Sequence, residues 1–475
     1  MKCDQSVRVI EELQKIIVQL QQKIAELESK LAAADARIIE LELKLKKNSN
    51  NSSRPPSSNG PQVGLLRKKK KSGKKQGAQP GHVGHARKLA GPEQIDKHVA
   101  VSLEGSCPAC GETGVVSRAF TKRHQVWEIP QITPHITEYM MESGRCACCR
   151  QRRCAELPIG VSSGVLGLRA KAMVATLTGQ YRLSRRNAEQ MLKDLFGLDI
   201  ALGTVSQTEA KVSRVIEAPC LEVLQAAQES KAAHVDETGH KRAGQRLYSW
   251  VISTAKVVAF KVGYRRNRET AQLLLGPDFS GVVISDRYSA YSYLPSSRHQ
   301  VCWAHLKREF QAIADHPELS AIGEQLLEVT KTIFDAWWDY KQRTIERHIF
   351  LERIKEEQAK LEKLLGEHYR VPEVRPYAHL FLLQPELVWN FTQIDGVEPT
   401  NNMAERDLRP LVIWRKTSFG TNSVRGDRYV ERMMTLVGTC RKQGQNAFKT
   451  LLQMLQAVAI GMPAPTLLSE SCLAD

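Results

Sequence analysis

The sequence holds no uninterrupted apolar run near the roughly eighteen residues that a membrane-spanning helix requires. Met1 to Gln5 also lack the apolar core of an export signal. Both absences point to a soluble, intracellular chain with no membrane partner. Acidic side chains are in short supply: 51 Asp and Glu stand against 68 Lys and Arg, a formal charge of +17. Such a balance favours a polyanionic partner. Solubility charge is the plainer alternative, and the clustering of the cations argues against it. Cysteine offers no even set for a disulfide framework. Eleven are present, some in Cys-x-x-Cys pairs, which suits metal sites in a reducing compartment. With 475 residues, the chain has room for several domains with separate cores.

The N-terminal region carries an unbroken seven-residue repeat. Ile10, Ile17, Ile24, Leu31, Ile38 and Leu45 occupy one seam position, and Leu13, Leu20, Leu27, Ala34 and Leu41 the other. Ile at a with Leu at d predicts a parallel coiled coil over 1–47, giving a homodimer or a pairing with another coiled coil. A lone amphipathic helix fits five heptads less well. An Asn/Ser/Pro-rich stretch follows, then the run Arg67, Lys68, Lys69, Lys70 and Lys71, in a basic linker spanning 48–90 that is expected to be disordered. A charge run is commonly a solvated tail; here it also suits sequence-blind phosphate contact.

Cys107-Pro-Ala-Cys110-Gly111 is a metal knuckle in pattern, and Cys146-Ala-Cys148-Cys149 supplies a second. Cys107, Cys110, Cys146 and Cys149 match a tetrahedral structural Zn²⁺ in a zinc-ribbon-like domain over 91–160. Val126–Ile129 and Ile132–Met140 are the expected strands. Cys148 is an alternative ligand, Cys154 is spare, and buried free cysteines are the competing reading. Residues 161–225 turn helical. An amphipathic segment led by Ser184, a turn at Gly197 and a second helix suggest a helix-turn-helix, although any helical hairpin shares that pattern. Thr204, Ser206, Gln207, Lys211 and Arg214 fall on the candidate recognition helix.

From residue 226 the pattern becomes α/β. Strands are expected at Ala232–Asp236, Arg246–Ser253, Val257–Val262, Val282–Ser285 and His299–Cys302, with a helix from Arg268 to Leu275. Two of these runs end in an Asp, Asp236 and Asp286. Farther on, Pro399 to Pro410 starts a helix, with Thr400, Asn401 or Asn402 as cap and Glu405 about one turn in. Arg406, Arg409, Arg415 and Lys416 surround that Glu in sequence. An ion-pair anchor is the plain reading of Glu405. With two strand-end aspartates it completes an all-oxygen site suited to Mg²⁺ or Mn²⁺, and two such ions promote phosphodiester displacement. Between these parts, 311–395 reads as a helical insertion with Trp337, Trp338 and Tyr340 in one cluster. Base stacking is open to those aromatics, and core packing is preferred.

Five segments in order resemble the DDE transposases of the insertion-sequence-66 family, which have an RNase H-like catalytic core. They are Val235-Asp-Glu-Thr-Gly239, Phe279-Ser-Gly-Val-Val-Ile-Ser-Asp286, Cys302-Trp-Ala-His-Leu306, Asn401-Asn-Met-Ala-Glu-Arg406 and Leu408-Arg-Pro410, with Arg415-Lys416 and Phe419-Gly420 following. Arg287 departs from the Gly expected after the second Asp. The resemblance implies Asp236, Asp286 and Glu405 as the catalytic triad holding two Mg²⁺ or Mn²⁺ ions, and His305 beside it as a ligand-orienting or phosphate-contacting residue. A packed structural role for His305 fits the residues nearly as well. The implied architecture is a coiled coil, zinc module, helix-turn-helix and RNase H-like core in two parts, 226–310 and 396–465, with a tail over 466–475. The implied activity is metal-dependent cleavage at the ends of an insertion sequence and strand transfer into target DNA. Double-stranded DNA, a dimer or higher oligomer, accessory proteins encoded by the same element and a cytoplasmic, nucleoid-associated location go with it. A non-catalytic zinc/helix-turn-helix regulator and a nuclease without strand transfer are the alternatives.

Overall fold

The computed structural model describes residues 2–52, 77–78, 82–84, 88–101, 105–107, 109–113 and 123–469, without the side chains of 2–14. The basic run Arg67 to Lys71 lies outside the described residues. Helix α1, Lys2–Lys46, runs for 45 residues and leaves its seam bare, with Ile24 55% and Leu27 54% exposed. Beyond it, Val126–Ile129 and Ile132–Met140 form no strands and are exposed, against expectation. Among the described residues their β-branched content finds no partner strand. The pairing falls instead on β1, Ser143–Arg145, and β2, Arg152–Cys154, which close antiparallel around the second knuckle.

Helices α2, Leu168–Ala175, α3, Arg185–Phe196, and α4, Leu202–Val215, form a small unit with its own core of Leu166, Val174, Leu177, Ala188, Leu192, Ile200 and Val205. Ser184 caps α3 by accepting from the Asn187 amide, and Gly197 ends it in the left-handed conformation. Helix α5, Glu217–Gln228, leads into the central sheet.

That sheet has five strands in the order β5-β4-β3-β6-β7. The strands are β3, Ala232–Arg242, β4, Gln245–Ser253, β5, Val258–Tyr264, β6, Val282–Ser285, and β7, His299–Val301. The first three form an antiparallel meander, while β6 and β7 add in parallel, with α6, Arg268–Leu275, crossing between β5 and β6. Side chains alternate between faces: Ala233, Val235 and Val283 enter one core, Val282 and Ile284 the other. Gly281 passes so close to the Ser230 carbonyl that a Cβ would lie 2.3 Å from it, which fixes how β6 enters beside β3.

Helices α7, Trp303–Ala314, α8, Ser320–Lys341, α9, Arg347–Glu367, α10, Arg375–Leu383, and α11, Glu386–Gln393, build the second core. The chain then returns to the sheet through α12, Asn402–Ser418, α13, Val424–Lys442, and α14, Ala447–Ala459. Among the described residues no helix is long and apolar enough to cross a membrane.

Candidate active site

Asp236 does not end its strand, as the sequence suggests, but lies in the middle of β3. The apolar run stops there, yet antiparallel pairing with β4 carries the strand on to Arg242. Only the parallel partner stops short. Ala232, Ala233 and His234 pair with Val282, Val283 and Ile284, so the register brings Asp236 level with Asp286, just past the end of β6. Asp286 follows β6 directly, close enough to Asp236 for its charge to act on the Asp236 carboxyl.

Glu405 arrives on α12, which packs across β3 and β4. Its start is fixed by Asn401. The sequence suggests a capping role, but the Asn401 side chain makes no cap bond. It donates from Nδ2 to the Val235 carbonyl at 2.8 Å, while its amide donates to Cys302 Sγ at 3.1 Å. One buried residue thus ties the Glu405 helix to the Asp236 strand and to the head of α7. Cys302 is wholly buried and its thiol is pushed up to about 11 by burial, so it acts as packing.

The basic side chains nearest Glu405 come from α7. His305 Nε2 and Arg308 each lie 3.9 Å from Glu405 Oε1. Burial foremost, then the Arg308 charge, holds the His305 imidazolium below its ordinary value, and its buried Nδ1 has no partner. Arg406, Arg409 and Lys416 are exposed on α12, whereas Arg415 turns inward to Thr238 Oγ1 and the Gly239 carbonyl. Asp407 is a structural anchor, taking Lys442 at 2.7 Å and the Ser253 hydroxyl at 2.7 Å.

Burial first, then Glu237, Asp286 and Glu405, raises the Asp236 carboxyl well above the ordinary range. A mutual field thus links these carboxylates without direct contact. Among the described residues no three His, Cys, Asp or Glu side chains form a preassembled metal cage. Glu237, absent from the sequence-derived site, is a further carboxylate there. Its side chain is 3% exposed, paired with Arg266 at 2.6 Å and accepting from the Tyr291 hydroxyl at 3.1 Å. Asn401 and Arg308 were missed likewise; the string Val235-Asp-Glu contains Glu237 but gives no sign of which carboxylate has a cation.

The two cysteine knuckles have the same backbone form. The amides of Cys107 and Cys146 donate across the turn to Glu112 and Gln151, and Gly111 and Arg150 donate back to Cys107 and Cys146. Gly111 and Arg150 both take positive φ, 79° and 56°. Backbone amides, chiefly of Ala109 and Cys110 in one and of Cys149 and Cys148 in the other, lower the thiols of Cys107 and Cys146. Each turn is prepared for a thiolate, and the structure does not bring the pairs together.

On α4, Gln207, Lys211 and Arg214 are exposed along one stripe, while Thr204 and Ser206 are half-buried and Ser206 accepts from Arg425 at 3.0 Å.

A family model described as "Transposase IS66 family" matches residues 164–429, and one for a family of unknown function (DUF6444) matches residues 3–88. The uncharacterized protein y4qI of Sinorhizobium fredii is 26% identical over 205 residues, 39% of this chain and 37% of that protein. The chain therefore matches little more than a third of that relative's length.

Proposed function

The chain belongs to the IS66 family of transposases, and from that premise we propose that it cuts the DNA ends of an insertion sequence and joins them to target DNA. Asp236, Asp286 and Glu405 would hold two Mg²⁺ or Mn²⁺ ions. The fit rests on charge: Asp236 sits among carboxylates, Glu237 is already matched by Arg266, and oxygen donors suit hard divalent cations. When bound, such ions lower the pKa of the attacking oxygen and stabilise the leaving one.

The residues around them bind and orient. Arg308 and His305 face Glu405 from α7 and would engage the phosphodiester. Asn401 is a positioning residue that sets Glu405 against β3. In the first step water attacks the phosphodiester and releases a 3′-hydroxyl. That hydroxyl then attacks a target phosphodiester in line, forming the new P–O bond as the target's own 3′-oxygen leaves, with no covalent protein–DNA intermediate.

The register that brings Asp236 level with Asp286, just past the end of the parallel strand β6, with Glu405 acting on Asp236, carries this reading. The strand order, an antiparallel meander extended by two parallel strands, supports an RNase H-like core. The Gln207–Lys211–Arg214 stripe on α4 and the exposed Arg406, Arg409 and Lys416 are proposed DNA contacts, together with Thr204 and the linker residues Arg67 to Lys71. Ser206 and Arg415 already serve protein contacts and would orient neighbours. The matching backbone form of the knuckles supports thiolate binding of Zn²⁺, and one ion held by Cys107, Cys110, Cys146 and Cys149 would require the two pairs, apart in this structure, to meet; the bare α1 seam supports pairing with a second copy.

The test is cleavage of DNA carrying the element's ends, with and without Mg²⁺. The wild type is expected to cut only with Mg²⁺. Asp286→Asn and Glu405→Gln should lose about a hundredfold to a thousandfold in rate, the scale on which loss of a key charge-stabilising group acts, while binding the ends almost normally. Equal cutting by both variants and the wild type overturns the assignment. Joined donor–target products separate a transposase from a nuclease.

A further inference from the structure

The aromatic cluster of α8 divides into two parts. Trp337 is packed edge-on against Phe350 and Phe391, with ring centroids 5.8 and 5.9 Å away, and Tyr340 stacks on Phe350. Those two rings belong to the second core. Trp338, the next residue, is 63% exposed and faces a cavity of about 600 Å³, within the range of small-ligand pockets. Core packing accounts for Trp337 and leaves Trp338 unexplained.

Three cations, Lys307, Arg308 and Arg406, also line the cavity, while Lys341 there is paired with Glu398. Arg308 belongs to two places at once, since it lies 3.9 Å from Glu405, and Arg406 follows Glu405 directly. The cavity therefore shares Arg308 with the surroundings of Glu405. Ser49 and Asn50 contribute another wall, pinned by Asn51 Nδ2 donating to Asp315 Oδ2 at 2.8 Å.

A flat aromatic face, a cationic rim and adjacency to a phosphodiester site are together the chemistry of a nucleotide subsite. A paired base has both faces covered by its neighbours, so only an unstacked base can use the Trp338 ring. We propose that this cavity holds one unpaired nucleotide of the DNA substrate, its base on Trp338 and its phosphate among Lys307, Arg308 and Arg406. The inference rests on the reading of Asp236, Asp286 and Glu405 as the cutting site, and it adds that a strand end is unpaired beside them.

The probes are a fluorescein-labelled single-stranded oligothymidylate and a duplex of equal length, titrated against the full chain without divalent ions. Trp338→Ala is expected to weaken single-strand binding by roughly tenfold, the scale of lost base stacking, and to leave duplex binding within about twofold. Trp338→Phe should retain most single-strand affinity. Unchanged single-strand binding by Trp338→Ala overturns the proposal, as does an equal loss on both probes, which marks a general contact. Because these titrations need no cleavage, an inactive wild type that still shows the Trp338 dependence counts against the transposase reading and leaves this subsite standing.

Discussion

Asp236 and Glu237 are neighbours on one strand and have opposite surroundings. Glu237 has Arg266 and the Tyr291 hydroxyl; Asp236 has other carboxylates and the amide of Glu237. A carboxylate among its own kind costs the fold stability, a cost that persists where binding a cation is the use. His299 shows the same economy with a base. It lies 6% exposed with Nε2 2.8 Å from the Ser285 hydroxyl, and burial lowers it to about 4. Its folded value lies below the unfolded value of about 6.5, so the unfolded chain takes up the proton first. Stability is therefore full above about pH 6.5 and falls as pH drops toward 4, by at most about 3 kcal/mol from this residue. His234, also lowered to about 4 by burial, follows the same course. In urea titrations across this window His299→Gln is expected to show roughly half the wild-type slope; an unaltered slope would show that His299 is not a source of it.

At the scale of elements, the open edges of the sheet decide much of the architecture. β5 is one edge, and α13 satisfies it with side chains. Val258, Phe260 and Val262 donate their amides to Thr439, Thr435 and Glu431, a stripe at successive helical turns meeting alternate strand residues. The other edge, β7, is covered by α11, where Asn390 donates to the His299 carbonyl and Gln300 accepts from the Phe391 amide. Thr435→Val keeps shape and removes the acceptor, leaving the Phe260 amide buried and unpaired. A loss of about 1–3 kcal/mol in unfolding free energy is expected, against less than about 0.5 kcal/mol for an exposed control such as Thr417→Val. The sequence shows the five strands and the helical insertion plainly, because alternation and apolar periodicity are local signals. The Thr435–Thr439 stripe is not legible there, since its meaning depends on which strand ends up at the edge. Asn401 is hidden for the same reason: its sequence neighbours suggest a cap, and its partner is a carbonyl 166 residues away. The missing strands at Val126–Ile129 and Ile132–Met140 are the converse case, with local propensity present and no partner among the described residues to realise it.

For the whole molecule the question is what the bare seam of α1 does to the carboxylate edge. Ile17, Leu20, Ile24, Leu27, Leu31 and Ile38 are all about half exposed or more, a continuous apolar stripe that a single copy leaves in water. The end of this helix is not free of the body, because Asn51 reaches from the following turn to Asp315, directly after the helix that bears His305 and Arg308. A second copy zipped along the seam would therefore carry its own body, held at a short tether from the first. Ile24→Lys with Leu27→Lys places charges at consecutive a and d positions and touches nothing in the described sheet. Sedimentation at micromolar concentration is expected to show dimers or larger species for the wild type and monomers for this variant. Each monomer should still bind a single DNA end, but joining of two ends to one target should fall by at least about tenfold, because the effective concentration supplied by the tether is gone. A variant that sediments with the wild type would remove α1 as the pairing element. One that is monomeric yet joins ends at the wild-type rate would show that the DNA itself, and not the coiled coil, brings the two active sites together.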